Sequence, residues 1–442
     1  MAVRTITAIV FLSLFGRFAF PQAKYEPPDG FVYHGVGWGD AAQAAYAGIF
    51  PESQQPLMVQ VIVDLPGGPR PFSARQLLSR MDAVQTGQAV ELSVQLMQNG
   101  KAVDSVFAGS AMFDWCIDTL AWILRQHGRP VFLRIGLEAN GPWNGYTPWH
   151  FPAAFRKMVL GLRGRGIEKI ATVWCYEPDA EADFADSTQA GWKWYPGDDA
   201  VDWFGLDLFD ADHFHPDLPD STRGGLTKKG RSGKFLAFAG SRKKPVYLNE
   251  LSARGMNITG DAVDPGGLDG KKDWEGWFKP FFRFLELHPV VKAFNYIDLD
   301  WTKIPQYATW GDARIEINTV IRNGWNEALS APRFLHAGNG LFTTAVRPHP
   351  RRPEGGVPGG FSVFPNPSNA SVTIHYILHE SMTVAVHALD LRGRTVGRID
   401  AGWKTAGVHR VVWDASGCPG GVYVIRWTTP SKREIHKVLL VK

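Results

Sequence analysis

A chain of 442 residues exceeds one ordinary core and points to two or three folded units. With 45% hydrophobic and 20% charged residues it is neither disordered nor fibrous; the formal net charge of +4 is slight, and no basic stripe is dense enough for nucleic-acid binding. Cys116, Cys175 and Cys418 are too few, and odd in number, for a disulfide framework or metal cluster; buried free thiols are expected, with a Cys116–Cys175 bridge as the alternative.

Residues 1–23 read as an export signal: Arg4 supplies the charged start, Ile6–Phe15 the apolar stretch and Ala23 a small residue for cleavage. That stretch is too short to span a bilayer. From 24 to 335, short apolar runs alternate with segments of helical spacing. The runs are Phe31–Val36, Met58–Leu65, Val90–Met97, Val131–Glu138, Lys169–Cys175, Asp202–Phe209, Pro245–Glu250 and Ala293–Leu299. They are rich in Val, Ile, Leu and Phe without strict alternation, as parallel strands covered on both faces should be. Helices are predicted over Phe113–His127, from Phe151 to about Arg165, over Trp274–His288 and over Asp312–Leu329. Eight such units predict an α/β fold, a (β/α)8 TIM barrel. No Gly-rich dinucleotide turn or phosphate loop interrupts the pattern, and no cofactor is expected.

The basic run from Lys228 through Lys234, continued by Arg242, Lys243 and Lys244, reads as a solvated loop. Residues 336–360 are dense in Pro and Gly and predict a stiff exposed linker. After it, residues 361–442 alternate over Ser371–Leu378, Met382–Asp390, Thr395–Ala401, Gly407–Asp414, Gly421–Thr428 and Glu434–Val441, which predicts a small C-terminal all-β sandwich.

Catalytic side chains of a parallel barrel sit at the C-terminal strand ends. Glu138 closes the fourth run and Glu250 the seventh, on strands that face each other across the mouth. Retaining glycosidases need two such carboxyls roughly 5 Å apart, one to attack the anomeric carbon and one to protonate the leaving oxygen. Arg134, four residues before Glu138, is expected on the same strand face, either beside a carboxylate in the barrel or in a structural salt bridge. Asn140 is a sugar ligand or a turn former. Asp207 ends the sixth run and is expected to line the site; Tyr296, Asp298 and Asp300 end the eighth, with at least one facing the pocket. Trp194 or Tyr195 could edge the cleft. His213 and His215, with Asp210 and Asp212 nearby, lack a third well-placed ligand and read as loop residues, so no metal is expected.

The stretches "PVFLRIGLEANGPWNGY", "FPAAFRKMVLGLRGRGIEKIATVWCYEP", "WYPGDDAVDWFGLDLFD", "KPVYLNEL" and "FNYIDLDW" resemble glycoside hydrolase family 26 or a close sister group, from about residue 30 to 330. The resemblance implies hydrolysis of β-linked polysaccharide, β-mannan first, with mixed-linkage glucan or xylan in some members. It implies Glu138 as general acid/base, Glu250 as nucleophile, Trp301 as the aromatic platform under the sugar and Trp143 as the aromatic beside the acid. One departure matters. Family members usually place His directly before the acid, where this chain has Leu137, which leaves open a non-catalytic glycan-binding barrel at the cell surface. The tail, through "FSVFPNPSNASVTIHYIL", "VHALDLRGRTV", "WDASGCPGGVYVIRW" and "KVLLVK", resembles the C-terminal sorting domain of the bacterial type IX route and the related flagellar-hook-type immunoglobulin-like fold. That resemblance implies export machinery as a partner and a secreted or outer cell-surface location; the chain is expected to be a monomer.

Overall fold

The structure is a computed structural model; it describes residues 23–67, 72–180, 194–218, 222–223, 226–263, 268–338, 361–364, 368–378, 381–405, 407–431 and 433–441. The expected export signal, save Ala23, and the linker beyond residue 338 lie outside the described residues.

Eight parallel strands close a barrel: β1 (Val32–Val36), β2 (Met58–Gly67), β3 (Ala89–Gln98), β4 (Val131–Glu138), β5 (Ile170–Tyr176), β6 (Trp203–Leu208), β7 (Val246–Leu251) and β8 (Val291–Tyr296). Each pairs with the next in chain order, and β8 returns to pair with β1. The predicted runs fall on these strands with ends shifted by one to three residues, and the (β/α)8 class is as expected. Helix starts follow capping rather than periodicity. The last barrel helix begins at Thr319, not near Asp312, because the Asn318 side chain accepts from the amides of Val320 and Ile321. The segment predicted as one helix from Trp274 opens as a π turn, Trp274–Phe278, and continues as Lys279–Leu287. The basic run predicted as a solvated loop is instead helix Lys228–Ser241, whose Arg231 is buried and donates to the carbonyls of Pro178 and Ala180.

Alternation along the strands divides the barrel into layers. Outward side chains such as Val61, Leu133, Leu206 and Leu248 join the helices in one large core. Inward side chains near the N-terminal end, including Tyr33, Met58, Phe132, Trp203 and Tyr247, form a separate apolar plug. Above that plug the interior turns polar. Glu91 accepts from Ser93 Oγ at 2.7 Å and from Asn295 Nδ2 at 3.3 Å, while Tyr247 Oη donates to Asn295 Oδ1 at 2.9 Å. Glycines make room for this layer. A Cβ on Gly35 would sit 2.1 Å from Asn295 Oδ1, and one on Gly205 would sit 2.3 Å from Asn249 Oδ1.

Two strands break their pairing just where they reach the mouth. On β4 the register runs from Arg134↔Val173 to Glu138↔Cys175, so four residues advance against two. The excess is absorbed by Gly136 at φ 83° and Leu137 at φ 47°. On β7 the register jumps between Leu248 and Leu251 against both neighbours. Bulges of this kind re-aim side chains, and here they lie beside Glu138 and Glu250.

The C-terminal segment forms two antiparallel sheets. One contains β9 (Phe361–Phe364), β10 (Ser371–Leu378) and β13 (Gly407–Asp414); the other contains β11 (Met382–Leu389), β12 (Thr395–Lys404), β14 (Gly421–Thr428) and β15 (Arg433–Leu440). Val372, Ile374, Tyr376, Val386, Ile425 and Trp427 fill the core between them.

Gly136→Ala tests the β4 bulge. Its positive φ disfavours any Cβ, and the added atom would meet Phe151 Cε2 at 2.1 Å. Urea unfolding of the barrel is expected to show a loss of about 2–3 kcal/mol, combining backbone strain with overpacking.

Candidate active site

Arg134 organises the barrel mouth. It stands on β4, fully buried, above the polar layer. Its Nη1 donates to Glu250 Oε1 at 2.6 Å, and its Nη2 donates to Asp207 Oδ2 and to Cys175 Sγ, the latter at 3.3 Å. Asp207, at the end of β6, completes the frame by accepting the Glu250 amide on Oδ1 at 2.9 Å. Burial alone would lower the Arg134 pKa. The adjacent charges of Asp207 and Glu250 outweigh it and hold the guanidinium well above its ordinary value. Of the two readings left open for Arg134, it stands inward beside carboxylates and also makes buried salt bridges, and its direction does not follow simple alternation with Glu138, since the bulge lies between them.

Glu138 faces this ensemble from the end of β4. One carboxylate oxygen from each of Glu138, Asp207 and Glu250 lies within 4.8 Å of the others. Such a triad resembles a cation site, but the Arg134 guanidinium already bonds two of its members. Burial first, then the like charge of Glu250, pushes the Glu138 pKa up to about 7, against the opposing pull of Arg134 and Trp143. The Trp143 indole N–H donates to Glu138 Oε2, with its ring 55% exposed beside the cleft. Asn144 Nδ2 donates to the Glu138 carbonyl at 2.7 Å and fixes the strand end from below.

A third carboxyl joins from β5. Glu177, one residue beyond that strand, is buried, and its Oε1 accepts the Asp179 amide at 2.7 Å. Asn140 draws the two strand ends together: its Oδ1 accepts the Glu177 amide at 2.9 Å, and its Nδ2 donates to the Glu177 carbonyl at 2.8 Å. Asn140 is thus a structural clasp with its amide committed to backbone, not a group offered to a sugar.

The opposite wall is aromatic. Trp301 stacks on Trp38 at 5.0 Å and meets Trp310 at 4.9 Å, and Tyr307 packs against both Trp301 and Trp310. Trp301 is only 3% exposed, with its indole N–H on Ser252 Oγ at 2.9 Å. The partly exposed rings of Trp38, Tyr307 and Trp310 therefore present more face than the residue singled out from the sequence. Burial, then the charges of Glu138 and Glu250, raises the Tyr307 pKa, as a phenol facing both carboxyls requires.

Three residues considered for the site lie elsewhere. Tyr296 follows inward-pointing Asn295 on β8 and so turns outward, against Trp277 and Trp325, with its hydroxyl on the Ala313 carbonyl. Asp298 is likewise buried, accepting from the Ile315 amide. Trp194 is 6% exposed and packs against Phe151 in the outer core, not along the cleft. The Cys116–Cys175 alternative also fails: all three cysteines are free, Cys116 in the helical shell and Cys175 in the barrel. Beside the site, His213 accepts the Phe209 amide on Nδ1 and donates from Nε2 to Asp179 at 3.1 Å. Lys228 and Arg254 also bond Asp179, so this cluster ties loops together and its acidic groups already have cationic partners.

Residues 83–220 match the model of glycosyl hydrolase family 26, and residues 362–442 match that of the secretion system C-terminal sorting domain. Over that stretch the chain is similar to glycosyl hydrolase family 26. Its sorting domain marks it for export, to the medium or to the cell surface. A β-1,3-xylanase, TXYA, of Vibrio sp. is 32% identical over 270 residues, covering 57% of this chain and 54% of that protein. A β-1,3-xylanase of Alcaligenes sp. is 28% identical over 270 residues, covering 57% and 53%. The chain spans about half the length of these curated relatives. Among solved structures, a modular endo-β-1,4-mannanase from Cellulomonas fimi is 14% identical with a TM-score of 0.45, covering 94% of this chain and 95% of that one. A family 26 β-mannanase from Bacteroides ovatus is 17% identical with a TM-score of 0.45, covering 71% and 91%.

Arg134→Met should expose how much the site depends on this cation. Removing it leaves Asp207 and Glu250 buried side by side without a counter-charge, an imbalance worth about 3–5 kcal/mol. Denaturant unfolding is expected to show a loss of that size, with a smaller loss when Arg134→Met is combined with Asp207→Asn.

Proposed function

We propose that the barrel hydrolyses a β-linked polysaccharide with retention of anomeric configuration, using Glu250 as nucleophile and Glu138 as acid/base. The observation that carries this reading is the approach of the two carboxyls to within 4.8 Å at one mouth, the separation that direct attack on an anomeric carbon requires. The environments of the two differ in the sense the chemistry demands. Glu250 faces a guanidinium that matches its negative charge, whereas Glu138 is pushed towards its protonated form near neutral pH.

In the first step Glu250 attacks the anomeric carbon as the glycosidic bond breaks, and Glu138 gives its proton to the departing oxygen. In the second, Glu138 takes a proton from water, which attacks the same carbon and releases Glu250. Aromatic rings at Trp143 on one side and Trp38, Tyr307 and Trp310 on the other suit the C–H faces of pyranose rings. Leu137 leaves both carboxyls in place, so the departure from the family pattern does not by itself favour a barrel without chemistry.

The relatives' names support one substrate class over another. Both curated relatives are β-1,3-xylanases, which favours β-1,3-xylan over the β-mannan expected from the sequence. Release of new reducing ends from β-1,3-xylan, β-1,4-xylan, β-1,4-mannan and mixed-linkage glucan tests this directly. The fastest release is expected from β-1,3-xylan, and Glu138→Gln and Glu250→Gln should each lower it by about 100-fold or more. Binding with no new ends from any polymer would overturn the hydrolase and leave a glycan-binding protein.

The pH dependence follows from Glu138. Its proton is needed for leaving-group departure, so kcat/KM should fall as pH rises through about 7. A pH–rate profile flat from pH 6 to 9 would contradict the role given to Glu138.

A further inference from the structure

We propose that Gln60 is a positioning residue for the aromatic wall of the cleft, holding Trp38 over Trp301 by its backbone amide, a reading that rests on the glycan cleft assigned above.

Trp38 needs a hold from outside its own turn. It lies between the end of β1 at Val36 and the start of helix Asp40–Gly48. Its φ is 41°, in the left-handed region that a bulky side chain rarely adopts, and the helix N-cap, Gly39, makes no side-chain cap. A strained step of this kind persists only where its neighbours over-determine it. The ring nonetheless lies stacked on Trp301 at 5.0 Å, with 27° between the planes, and meets Tyr307 edge-on at 6.5 Å. Trp301 is itself buried, so Trp38 carries the more exposed face of this pair.

Gln60 supplies the hold. It stands on β2 two residues after Met58 of the apolar plug, so it points into the barrel, where it is buried. Its Oε1 accepts the Trp38 amide at 3.0 Å. A side-chain amide accepts at one corner and donates at the other, so this bond turns Nε2 towards Ser93 Oγ, at 3.5 Å. Ser93 in turn gives its hydroxyl proton to Glu91 Oε1 at 2.7 Å, and Asn295 Nδ2 donates to the other oxygen of the same carboxyl. Every donor in this row points away from Trp38 and towards Glu91. Flipping the Gln60 amide would set its NH2 against the Trp38 N–H, so the row fixes which corner faces the turn.

The backbone is tied to the same loop. Gln43, on the helix that follows Trp38, donates from Nε2 to the Gln60 carbonyl at 2.8 Å. Gly37 leaves the space this approach needs, since a Cβ there would lie 3.3 Å from Gln60 Oε1 and 2.9 Å from Ile297 Cγ1. Both corners of the Gln60 amide are committed to protein, so its influence on a bound glycan runs through the Trp38 ring. Without the acceptor, the turn is free to relax to negative φ, and the ring leaves Trp301 and the cleft.

The test is a double-mutant cycle of Gln60→Leu and Trp38→Ala. It reads kcat/KM on the polymer that wild type hydrolyses fastest, and near-UV circular dichroism, which reports stacked indoles without turnover. Each single variant is expected to lower kcat/KM by about tenfold, and the double variant to fall no more than about twofold below Trp38→Ala, because Gln60 then has no ring left to position. The near-UV spectrum of Gln60→Leu is expected to lose the same indole signal as Trp38→Ala. A merely structural residue would lower Tm and give losses that multiply, to about 100-fold in the double variant, and that result would overturn the proposal. So would Gln60→Leu with wild-type kcat/KM and spectrum. Should Gln60→Leu fail to fold, Ser93→Ala removes the partner of the Nε2 corner without adding bulk and must show the same non-additivity with Trp38→Ala; multiplying losses there would equally count against it. A wild-type protein that hydrolyses none of the polymers would instead defeat the hydrolase reading, and the spectra alone would then decide the role of Gln60.

Discussion

A single buried cation, Arg134, is the constraint around which the barrel mouth is arranged. It bonds Asp207 and Glu250 at once, on strands β6 and β7, from its own position on β4. Taking these charges out of water costs several kcal/mol per ion, and the cost is offset only by close geometry and by further donors. Those donors are present: the Glu250 amide and the Cys175 thiol both reach Asp207. Because the guanidinium is a rigid fork, a pair of carboxylates bound to it has few alternative positions. The carboxyl of Glu250 is thereby held in register with Glu138 across the mouth.

The rest of the barrel serves that arrangement. Glycines at 35 and 205 open the interior for Asn295 and Asn249. Bulges on β4 and β7 stop the strands from continuing in plain alternation and turn their final glutamates to the cleft. Tryptophan is abundant in the chain at 17 residues, and several of those described lie away from the cleft. Trp174, Trp203, Trp277 and Trp325 are fully buried in the body of the barrel domain. The cleft draws on a minority, chiefly Trp143 on one side and the Trp38–Trp310 wall on the other.

Much of this was legible in the residues. Long apolar runs bounded by turns gave the strands, because parallel strands are buried on both faces and leave a continuous signal. Glu138 and Glu250 stood out as acids closing two of those runs. Tyr296 and Trp194 were misplaced. Which face of a strand end or loop a ring takes depends on phase, and phase is reset by bulges and turns that a single sequence does not announce. The Trp38, Tyr307 and Trp310 wall is assembled from loops distant in sequence, so no local pattern marks it. Leu137 looked like a lost catalytic partner; in the fold it occupies the left-handed step of the β4 bulge, where its conformation delivers Glu138.

In the proposed mechanism Glu250 is the residue that bonds to the sugar. Incubation with a 2-deoxy-2-fluoro xylobiosyl fluoride, followed by proteolysis and mass spectrometry, reads this out as a covalent adduct. The prediction is one fluoroxylobiosyl group on the peptide containing Glu250, with none in Glu250→Gln. A label on any other carboxylate, or turnover of natural substrate with inverted product and no adduct, would contradict it.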